Sequence, residues 1–194
     1  MLQPAPTYQL LRNLTSPVVA VTSERKGKRN GMISDAAVRA SIVPSVPRLS
    51  VYIHKFNYSH DMIYETGRFG LHLLHTRQLD VVRRLGFFSG RDQDKLAGLP
   101  HHTGETGVPV LDECFAHFEC EVANVMDTGS STLFLGDVVA VGGLEPRGEL
   151  LTASYFRATM PAEWRTEYET KLVEAQGFAE ARSRDITPVI WKRR

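Results

Sequence analysis

Residues Ser16–Thr22, with the sequence SPVVAVT, form a short β-branched run near the start of the chain. The run leads into the charged segment Glu24–Arg29, which Gly27 interrupts, and then into the pair Asn30-Gly31. Such a run followed by charged and glycine-containing residues is typical of a strand that enters a hairpin. We therefore predict a strand, a turn and a second strand in this part of the chain.

The rest of the chain adds strands and short helices without a regular alternation. Strands are predicted over Arg48–His54, Arg68–Leu74, Phe115–Val125 and Thr132–Val141. Helices are predicted over Asp61–Thr66, ended by Gly67, and over Gln78–Leu85, with a helical turn at Arg91–Leu96 and an irregular loop at Gly98–Gly107. Because strands dominate, we expect a mainly β (α+β) fold, a small β-barrel decorated with short helices.

The composition changes at Pro161. The following residues are rich in helix formers and in mixed charges, which is typical of a solvent-facing helix. An apolar stripe along this helix should pack on the barrel or across a dimer interface; its members are Trp164, Tyr168, Leu172 and Val173. We therefore divide the chain into a barrel domain, residues 1–160, and a C-terminal helical arm, residues 161–194.

The overall composition excludes several classes of protein. Among 194 residues, 23 Lys and Arg balance 22 Asp and Glu, so no basic field favours a nucleic acid partner. No stretch approaches the roughly 18 apolar residues of a membrane helix, and the N-terminus lacks a signal-peptide pattern. We expect no membrane association. Two cysteines, Cys114 and Cys120, suit reduced thiols in the cytoplasm, and His101-His102 is more typical of a solvated loop than of a metal site.

Three segments could carry chemistry, and the first begins at Asn30. It combines small polar groups and a flexible glycine with apolar residues, a mixture that suits the apolar and polar edges of a flavin ring. A plain hairpin turn followed by a proline-containing loop explains the same residues. The candidate residues are Asn30, Gly31, Met32, Ile33, Ser34, Asp35, Ser41 and Ile42.

The second and third segments could bind a phosphate. Lys55, Asn57, Tyr58 and Ser59 stand between a predicted strand and a predicted helix, where N–H donors and hydroxyls meet an anion. Alternatively, Ser59 caps the helix. Arg91 and Lys95 lie in the third segment, Ser89–Lys95. Arg91 could make a bidentate contact with the phosphate, and Lys95 could lie near the flavin edge. Alternatively, Arg91 pairs with Asp92 or Asp94 at a solvent-exposed helix start.

Read in order, several segments resemble the flavin reductase-like, FMN-binding split-barrel family, and within it the flavoredoxin-type branch. The resemblance extends over roughly Ser16 to Val141. Each segment is short, but their order and spacing together are specific. The segments are PVVAVTS, NGMIS, SIVP, KFNYSHDMIYETGRFGLHLL, SGRDQDKLAGL, GVPVLDECFAHFECEV and STLFLGDVVAV.

This resemblance implies a homodimeric split barrel that holds FMN near the subunit interface. It implies an oxidoreductase in which NAD(P)H is the electron donor and free flavin, a redox partner protein or another small molecule is the acceptor. The first candidate segment matches the family's first flavin loop and the second matches its phosphate segment. Arg91 and Lys95 fall in a stretch that resembles the S-G-R-D-x-D-K motif of the flavoredoxin-type branch. We assign no acid–base catalytic residue, because hydride transfer to a flavin does not require one.

The chain also departs from the family pattern. Ser130 and Ser131 stand where many reductases carry Asp-His near the nicotinamide site, and His72 stands where an asparagine is common. Val43 and Ser45 replace an acid and a second proline. Two alternatives therefore stay open. One is a flavoredoxin-like electron carrier or flavin-binding protein without nicotinamide-dependent activity, and the other is an interaction protein that has lost flavin and uses its arm as the partner surface.

Overall fold

The computed structural model describes residues 4–14, 17–143 and 148–189, so Ser16 of the first predicted strand lies outside the described residues. A seven-stranded antiparallel sheet, in the order β2-β1-β5-β8-β9-β4-β3, forms most of the molecule. A two-stranded ribbon pairs β6 with β7. The described strands are β1 Val19–Arg25, β2 Lys28–Ser34, β3 Ala37–Arg39, β4 Arg48–His54, β5 Arg68–Leu73, β6 His101–Thr103, β7 Pro109–Leu111, β8 Ala116–Asp127 and β9 Ser131–Gly142.

Short helices cover the ends and one face of this sheet. They are α1 Pro4–Leu11, α2 Tyr58–Thr66, α3 Leu79–Gly86, α4 Ala153–Thr159 and α5 Ala162–Glu180. Within the described ranges, no helix is both long enough and apolar enough to cross a membrane. The mainly β class with short helices, predicted from the sequence, is confirmed.

The sheet curls until its two ends approach each other. The hydroxyl of Ser34 in β2 donates to the carbonyl oxygen of Tyr52 in β4 at 3.4 Å, and the Tyr52 N–H donates to Ala36 at 3.0 Å. These bonds bring the start of β3 and the middle of β4 next to the far edge of the sheet. The result is an open barrel whose interior is filled by side chains.

Strand β1 is buried on both faces. Val19 and Val21 pack inside the curled sheet, against residues such as Phe69. Val18 and Ala20 point to the opposite side, where they contact the helices α3 and α4. Two-sided burial accounts for the nearly continuous apolar run of the first predicted strand, because both alternating faces require apolar side chains.

Several predicted elements are confirmed within a few residues. Strand β4 has the predicted bounds, and β8 and β9 differ from their predictions by one or two residues at each end. Helix α2 ends at Thr66 as predicted, and Gly67 adopts a left-handed conformation with φ of 68°. Cys120 is fully buried in the barrel interior; burial first, and then the charges of Asp137 and Glu119, raise its pKa to about 12. Cys120 is therefore an inert core residue rather than a nucleophile.

The hairpin interpretation of Asn30-Gly31 is wrong. The turn lies at Lys26 and Gly27, which have φ of 52° and 81°, and β1 pairs directly with β2 around it. Positive φ at both central residues is the condition for the two-residue turn that matches strand twist. Asn30 and Gly31 lie inside β2 instead.

Two predictions for the segment between α3 and β7 are also wrong. Residues 91–96 form turns and bends rather than a helical turn. The Asp94 carboxylate accepts hydrogen bonds from the N–H groups of Leu96 and Ala97, which competes with helix formation. The predicted loop at Gly98–Gly107 contains strand β6, whose partner β7 lies in the next segment of the chain.

Two helices were not predicted. Helix α1 lies near the N-terminus, and α4 begins after Thr152, whose hydroxyl accepts a hydrogen bond from the Tyr155 N–H at 3.1 Å. The predicted arm contains α5, whose first residues pack on the body of the protein: Trp164 and Tyr168 contact the cluster that α3 and α4 cover.

Gly136 offers a direct test of packing in the barrel interior. A Cβ added to Gly136 in β9 would lie 2.9 Å from both Cys120 Cβ and Phe69 Cζ. We expect Gly136→Ala to lower the free energy of unfolding by roughly 1–3 kcal/mol, because overpacking forces side chains out of their preferred rotamers. Urea unfolding monitored by circular dichroism measures the change.

Gly177→Ala is the matched control. Gly177 lies within α5, and a Cβ there would meet no atom within 4 Å. This change should leave stability unaltered or raise it by up to about 1 kcal/mol, through helix propensity. Equal stability losses in the two variants would contradict the packing argument.

Candidate functional site

A cavity of about 760 Å³, which we call the α2–α5 cavity, lies between β2, the start of α2, the loop after α3 and the inner side of α5. Its wall contains aromatic, cationic and small polar residues together. The residues are Asn30, Met32, Phe56, Asn57, Tyr58, Ser59, Gly86, Phe87, Phe88, Ser89, Gly90, Arg91, Asp92, Lys95, Glu167, Lys171, Glu174, Ala175 and Phe178.

Asn30 supplies an unpaired acceptor to this cavity. Its side chain is 1% exposed, and its Nδ2 donates to the Ser59 hydroxyl at 2.9 Å. The other amide atom, Oδ1, is buried and has no hydrogen-bond partner, and it lies against Gly90 in the cavity wall. An unsatisfied buried acceptor costs free energy, so a ligand with N–H or O–H donors would be stabilised here.

Lys95 places a cation in the same wall. The side chain is 5% exposed, and Nζ donates to the carbonyl oxygen of Leu85 at 2.8 Å, at the C-terminal end of α3. Burial lowers the pKa of Lys95 to about 8, so the side chain remains mostly charged at neutral pH. A buried positive charge favours an anionic or electron-rich ligand.

Arg91 and Tyr58 form a second polar group at the cavity rim. The Arg91 guanidinium lies 5.2 Å from the centre of the Tyr58 ring and donates to the carbonyl oxygen of Phe56 at 2.9 Å. Its nearest carboxylate is that of Asp61, at 3.8 Å. The alternative pairing of Arg91 with Asp92 or Asp94 is therefore wrong. Arg91 keeps N–H donors that an anion could use.

Ser59 does not cap helix α2, so that alternative is also wrong. Helix α2 begins at Tyr58, with Asn57 at the N-cap position and no side-chain cap bond. The Ser59 hydroxyl instead takes part in a buried network with Asn30 and Ser23. The first N–H groups of α2 therefore border the cavity without a capping side chain, which is the arrangement that binds phosphate at helix N-termini.

The structure divides the candidate residues of the sequence analysis among several places. Half of them line the α2–α5 cavity: Asn30, Met32, Asn57, Tyr58, Ser59, Arg91 and Lys95. Ile33, Ser34 and Asp35 line a neighbouring cavity of about 230 Å³, and Ser41 and Ile42 line an apolar groove of about 690 Å³. Lys55 binds the Asp127 carboxylate at 2.7 Å, and Gly31 lies against Leu85 and Leu96. Strand alternation explains part of this, because Asn30 and Met32 face opposite to Gly31 and Ile33.

Several cavity residues were not predicted. Phe56 lies inside the second predicted segment, and its aromatic ring was the available signal. Lys171, Glu174 and Phe178 come from α5, far along the chain, and no local pattern distinguishes them from other residues of a charged helix.

The turn that carries Ser130 and Ser131 contacts the C-terminal segment. The Ser131 hydroxyl lies 2.8 Å from His54 Nδ1, and the Thr187 N–H donates to Asp127 at 3.2 Å. A Cβ on Gly129 would lie 2.5 Å from the carbonyl oxygen of Ser183, so the chain passes very close to this turn. Residues 183–187 therefore lie against the turn that carries Ser130 and Ser131, where relatives are expected to carry Asp-His.

His72 is a buried structural hydrogen-bonder. Its Nδ1 lies 3.3 Å from the carbonyl oxygen of Ala20, and the Leu111 N–H donates to Nε2 at 3.1 Å. The ring therefore connects β5 to β1 and to β7 as the neutral imidazole. Burial lowers its pKa to about 4, with a hydrogen bond to Ala20 opposing the shift.

The histidine pair at residues 101 and 102 makes separate contacts. His102 pairs with Asp112 at 2.7 Å, and His101 Nδ1 lies 2.7 Å from the Leu99 carbonyl oxygen. In the part of the chain that the structure describes, no group of three or more His, Cys, Asp or Glu side chains is arranged to hold a metal ion.

A curled antiparallel sheet with a polar, cationic cavity beside the strand-to-helix junction defines the class of split-barrel flavoproteins. The family model described as a flavin reductase-like domain matches residues 11–161. A ferric-chelate reductase (NAD(P)H) of Archaeoglobus fulgidus is 31% identical over 137 residues, 70% of this chain and 80% of the relative. The chain belongs to the flavin reductase-like family, as the sequence indicated, and it is an oxidoreductase of the flavin-reductase type.

Solved structures agree with this assignment. An FMN-binding protein from Thermus thermophilus with bound p-hydroxybenzaldehyde has a TM-score of 0.64 at 29% identity, over 71% of this chain and 79% of that chain. Flavoredoxin from Methanosarcina acetivorans has a TM-score of 0.61 at 25% identity, over 68% of this chain and 70% of that chain. The split-barrel fold is thereby confirmed.

His72 predicts a pH dependence of stability. Its pKa falls from 6.5 to about 4 on folding, so between these values the unfolded chain binds a proton that the folded protein does not. The contribution of His72 is complete above pH 6.5 and is lost as the pH falls towards 4, by roughly 3 kcal/mol at most. In urea unfolding measured from pH 7.5 to pH 4, the free energy of unfolding should fall less for His72→Asn than for the unmodified protein.

Substitution of a second histidine controls for the charge itself. The charges of His117, Glu119 and His102 act on the pKa of His72, whereas that of His101 does not, so His101→Asn should retain the pH dependence of the unmodified protein. If His72→Asn and the unmodified protein lost stability in parallel below pH 6.5, the buried neutral imidazole would not be the source of the pH dependence.

Proposed function

We propose that the protein is an NAD(P)H-dependent flavin reductase that holds FMN in the α2–α5 cavity. Its electron acceptor would be free flavin, a redox partner protein or another small molecule. The single observation that carries this proposal is the unpaired Asn30 Oδ1 in a cavity that also contains the buried cation of Lys95. When bound, FMN supplies the hydride and electron chemistry, and the chain supplies position and electrostatics.

The residues present fit such a cofactor. Asn30 Oδ1 would accept a hydrogen bond from a donor of the ring or of the ribityl chain. Arg91 and the first N–H groups of α2, at Tyr58 and Ser59, would hold the phosphate. The Lys95 ammonium group is shielded from water, so its positive charge would favour the electron-rich, reduced state of the cofactor.

A separate apolar groove supports a homodimer. Large apolar side chains line it and are exposed in the single chain, Ile42 by 84% and Val38 by 56%, and Val43 and Val141 by about half. Contiguous exposed apolar surface of this kind marks interfaces between proteins. We propose that a second copy covers the groove, which would make the predicted flavin-site residues Ser41 and Ile42 interface residues.

We also infer a cytoplasmic location. Both cysteines, Cys114 and Cys120, are free thiols, the state that a reducing compartment maintains.

An electron carrier without nicotinamide-dependent activity is the second candidate. The observation that favours it is the turn with Ser130 and Ser131, which lacks the expected imidazole and is contacted by Ser183 and Thr187. Anaerobic stopped-flow mixing of the holoprotein with NADH and with NADPH separates the two functions. Bleaching of the flavin absorbance band with either donor supports the reductase, and its absence with both supports the carrier.

Asn30 provides the direct test of the proposed cavity. We expect Asn30→Ala to raise the dissociation constant for FMN about 5-fold, because one hydrogen bond to a buried acceptor is worth about 1 kcal/mol. Quenching of FMN fluorescence on titration with the protein measures the constant.

The control for this titration is Asn124→Ala. Asn124 is exposed on β8 outside the cavity, and its substitution should leave the constant unchanged. Thermal melts of both variants verify folding. An unmodified protein that fails to quench FMN fluorescence would refute the flavin site and support an interaction protein.

The proposed dimer predicts a change in mass. Val141→Asp puts a carboxylate into the apolar groove and should convert the dimer to a monomer, since an unpaired buried charge is strongly destabilising at an interface. Light scattering after gel filtration measures the mass. The sequence places Val173 in the apolar stripe of the arm, but this residue is 67% exposed and does not line the groove, so Val173→Asp should remain dimeric. A monomeric unmodified protein would rule out this use of the groove.

A further inference from the structure

Helix α5 lies against the body of the protein without burying any described residue completely. Its first half is nevertheless anchored. Trp164 and Tyr168 pack on the core cluster, and the Glu167 carboxylate binds the Arg83 guanidinium at 2.9 Å. The Arg83 guanidinium also lies 5.2 Å from the centre of the Trp164 ring. These contacts fix the start of α5 against α3.

The far end of α5 is anchored separately. Ser183 passes against Gly129, and the Thr187 N–H donates to the Asp127 carboxylate in the turn between β8 and β9. Lys55 and the N–H of Gly129 also donate to this carboxylate. Hydrogen bonds from these groups, with that of Lys55 the largest contribution, hold the pKa of Asp127 well below its usual range. The carboxylate therefore stays charged and can hold the chain at all pH values near neutral.

Between these anchors, one face of α5 borders the α2–α5 cavity. Glu167, Lys171, Glu174 and Phe178 are spaced by three or four residues, so they follow one another along a single side of the helix. Lys171 and Glu174 form an ion pair at 2.8 Å and so largely neutralise each other. The wall that α5 contributes is therefore nearly neutral and ends in an aromatic ring.

Phe178 lies at the rim of the cavity, at the end of a row of three rings. Its ring centre lies 5.8 Å from that of Phe56, and Phe56 is stacked on His54 at 5.3 Å. Yet the Phe178 side chain is 64% exposed in the single chain. A large apolar ring held at a cavity mouth, with most of its surface unburied, has area available for a ligand or for closing the entrance.

We propose that Phe178 is a specificity-determining residue of the flavin site, which limits the size of the electron acceptor that reaches the cavity. This inference rests on the proposed binding of FMN in the α2–α5 cavity. The anchored ends of α5 keep Phe178 next to Phe56, so the mouth is narrowed by a fixed ring rather than by a flexible loop. A small acceptor passes this ring, and a large planar acceptor is hindered.

The test uses the holoprotein reduced with dithionite and then mixed in a stopped-flow instrument with one of two acceptors. Ferricyanide is the small acceptor and riboflavin is the large one. For Phe178→Ala we expect the rate constant with riboflavin to rise at least 5-fold, while that with ferricyanide stays within 2-fold. The rate of FMN dissociation, measured by fluorescence recovery on dilution, should also rise several-fold.

Two further variants make the result specific. Val173 is exposed by 67% on the same helix and does not line the cavity, so Val173→Ala should match the unmodified protein in every measurement. Phe178→Trp retains a large ring and should keep the low rate with riboflavin. Circular dichroism verifies that α5 remains folded in each variant.

The outcomes separate this inference from the proposed function. If the unmodified protein binds FMN and Phe178→Ala has an unchanged ratio of the two rate constants, the role of Phe178 is overturned while the flavin site stands. An unchanged ratio overturns it even if FMN dissociates faster. If the unmodified protein binds no FMN, both the proposed function and this inference fail.

Discussion

The burial of β1 on both faces is the constraint on which the rest of the structure depends. Val19 and Val21 fill the interior of the curled sheet, while Val18 and Ala20 support the helices packed outside it. A strand in this position must pair along both edges, and β1 does so with β2 and β5. His72 strengthens the second pairing by bonding to Ala20 and Leu111. The curling of the sheet then brings β2 next to β4, although four strands separate them in the strand order.

The candidate site is a consequence of that arrangement. Asn30 lies on β2, Ser59 at the start of α2 and Lys95 in the loop after α3, and they meet only because the sheet curls. Each is held by a contact inside the protein: Asn30 by Ser59, and Lys95 by the Leu85 carbonyl oxygen. All three residues line one cavity. Such fixed donors and acceptors suit a cofactor whose chemistry is its own and whose position the protein must supply.

The C-terminal arm links this cavity to the turn between β8 and β9. Phe178 contacts Phe56, Phe56 stacks on His54, and His54 bonds to Ser131. Ser131, which departs from the family pattern, and helix α5 therefore belong to one continuous set of contacts. Residues 183–187 thereby shape the space beside this turn.

The sequence by itself determined the mainly β class, the bounds of β4, the end of α2 at Gly67 and the order of segments shared with the family, because these depend on local alternation, turn residues and spacing. It did not locate the turn at Lys26 and Gly27, since Asn30-Gly31 carries an equally good turn signal and only pairing with β1 decides between them. Tertiary structure alone decided which candidates share a cavity: strand alternation turned Ile33 away from Asn30, and Lys55 paired with Asp127. It also brought Phe178 to Phe56, over a separation along the chain that no local pattern encodes.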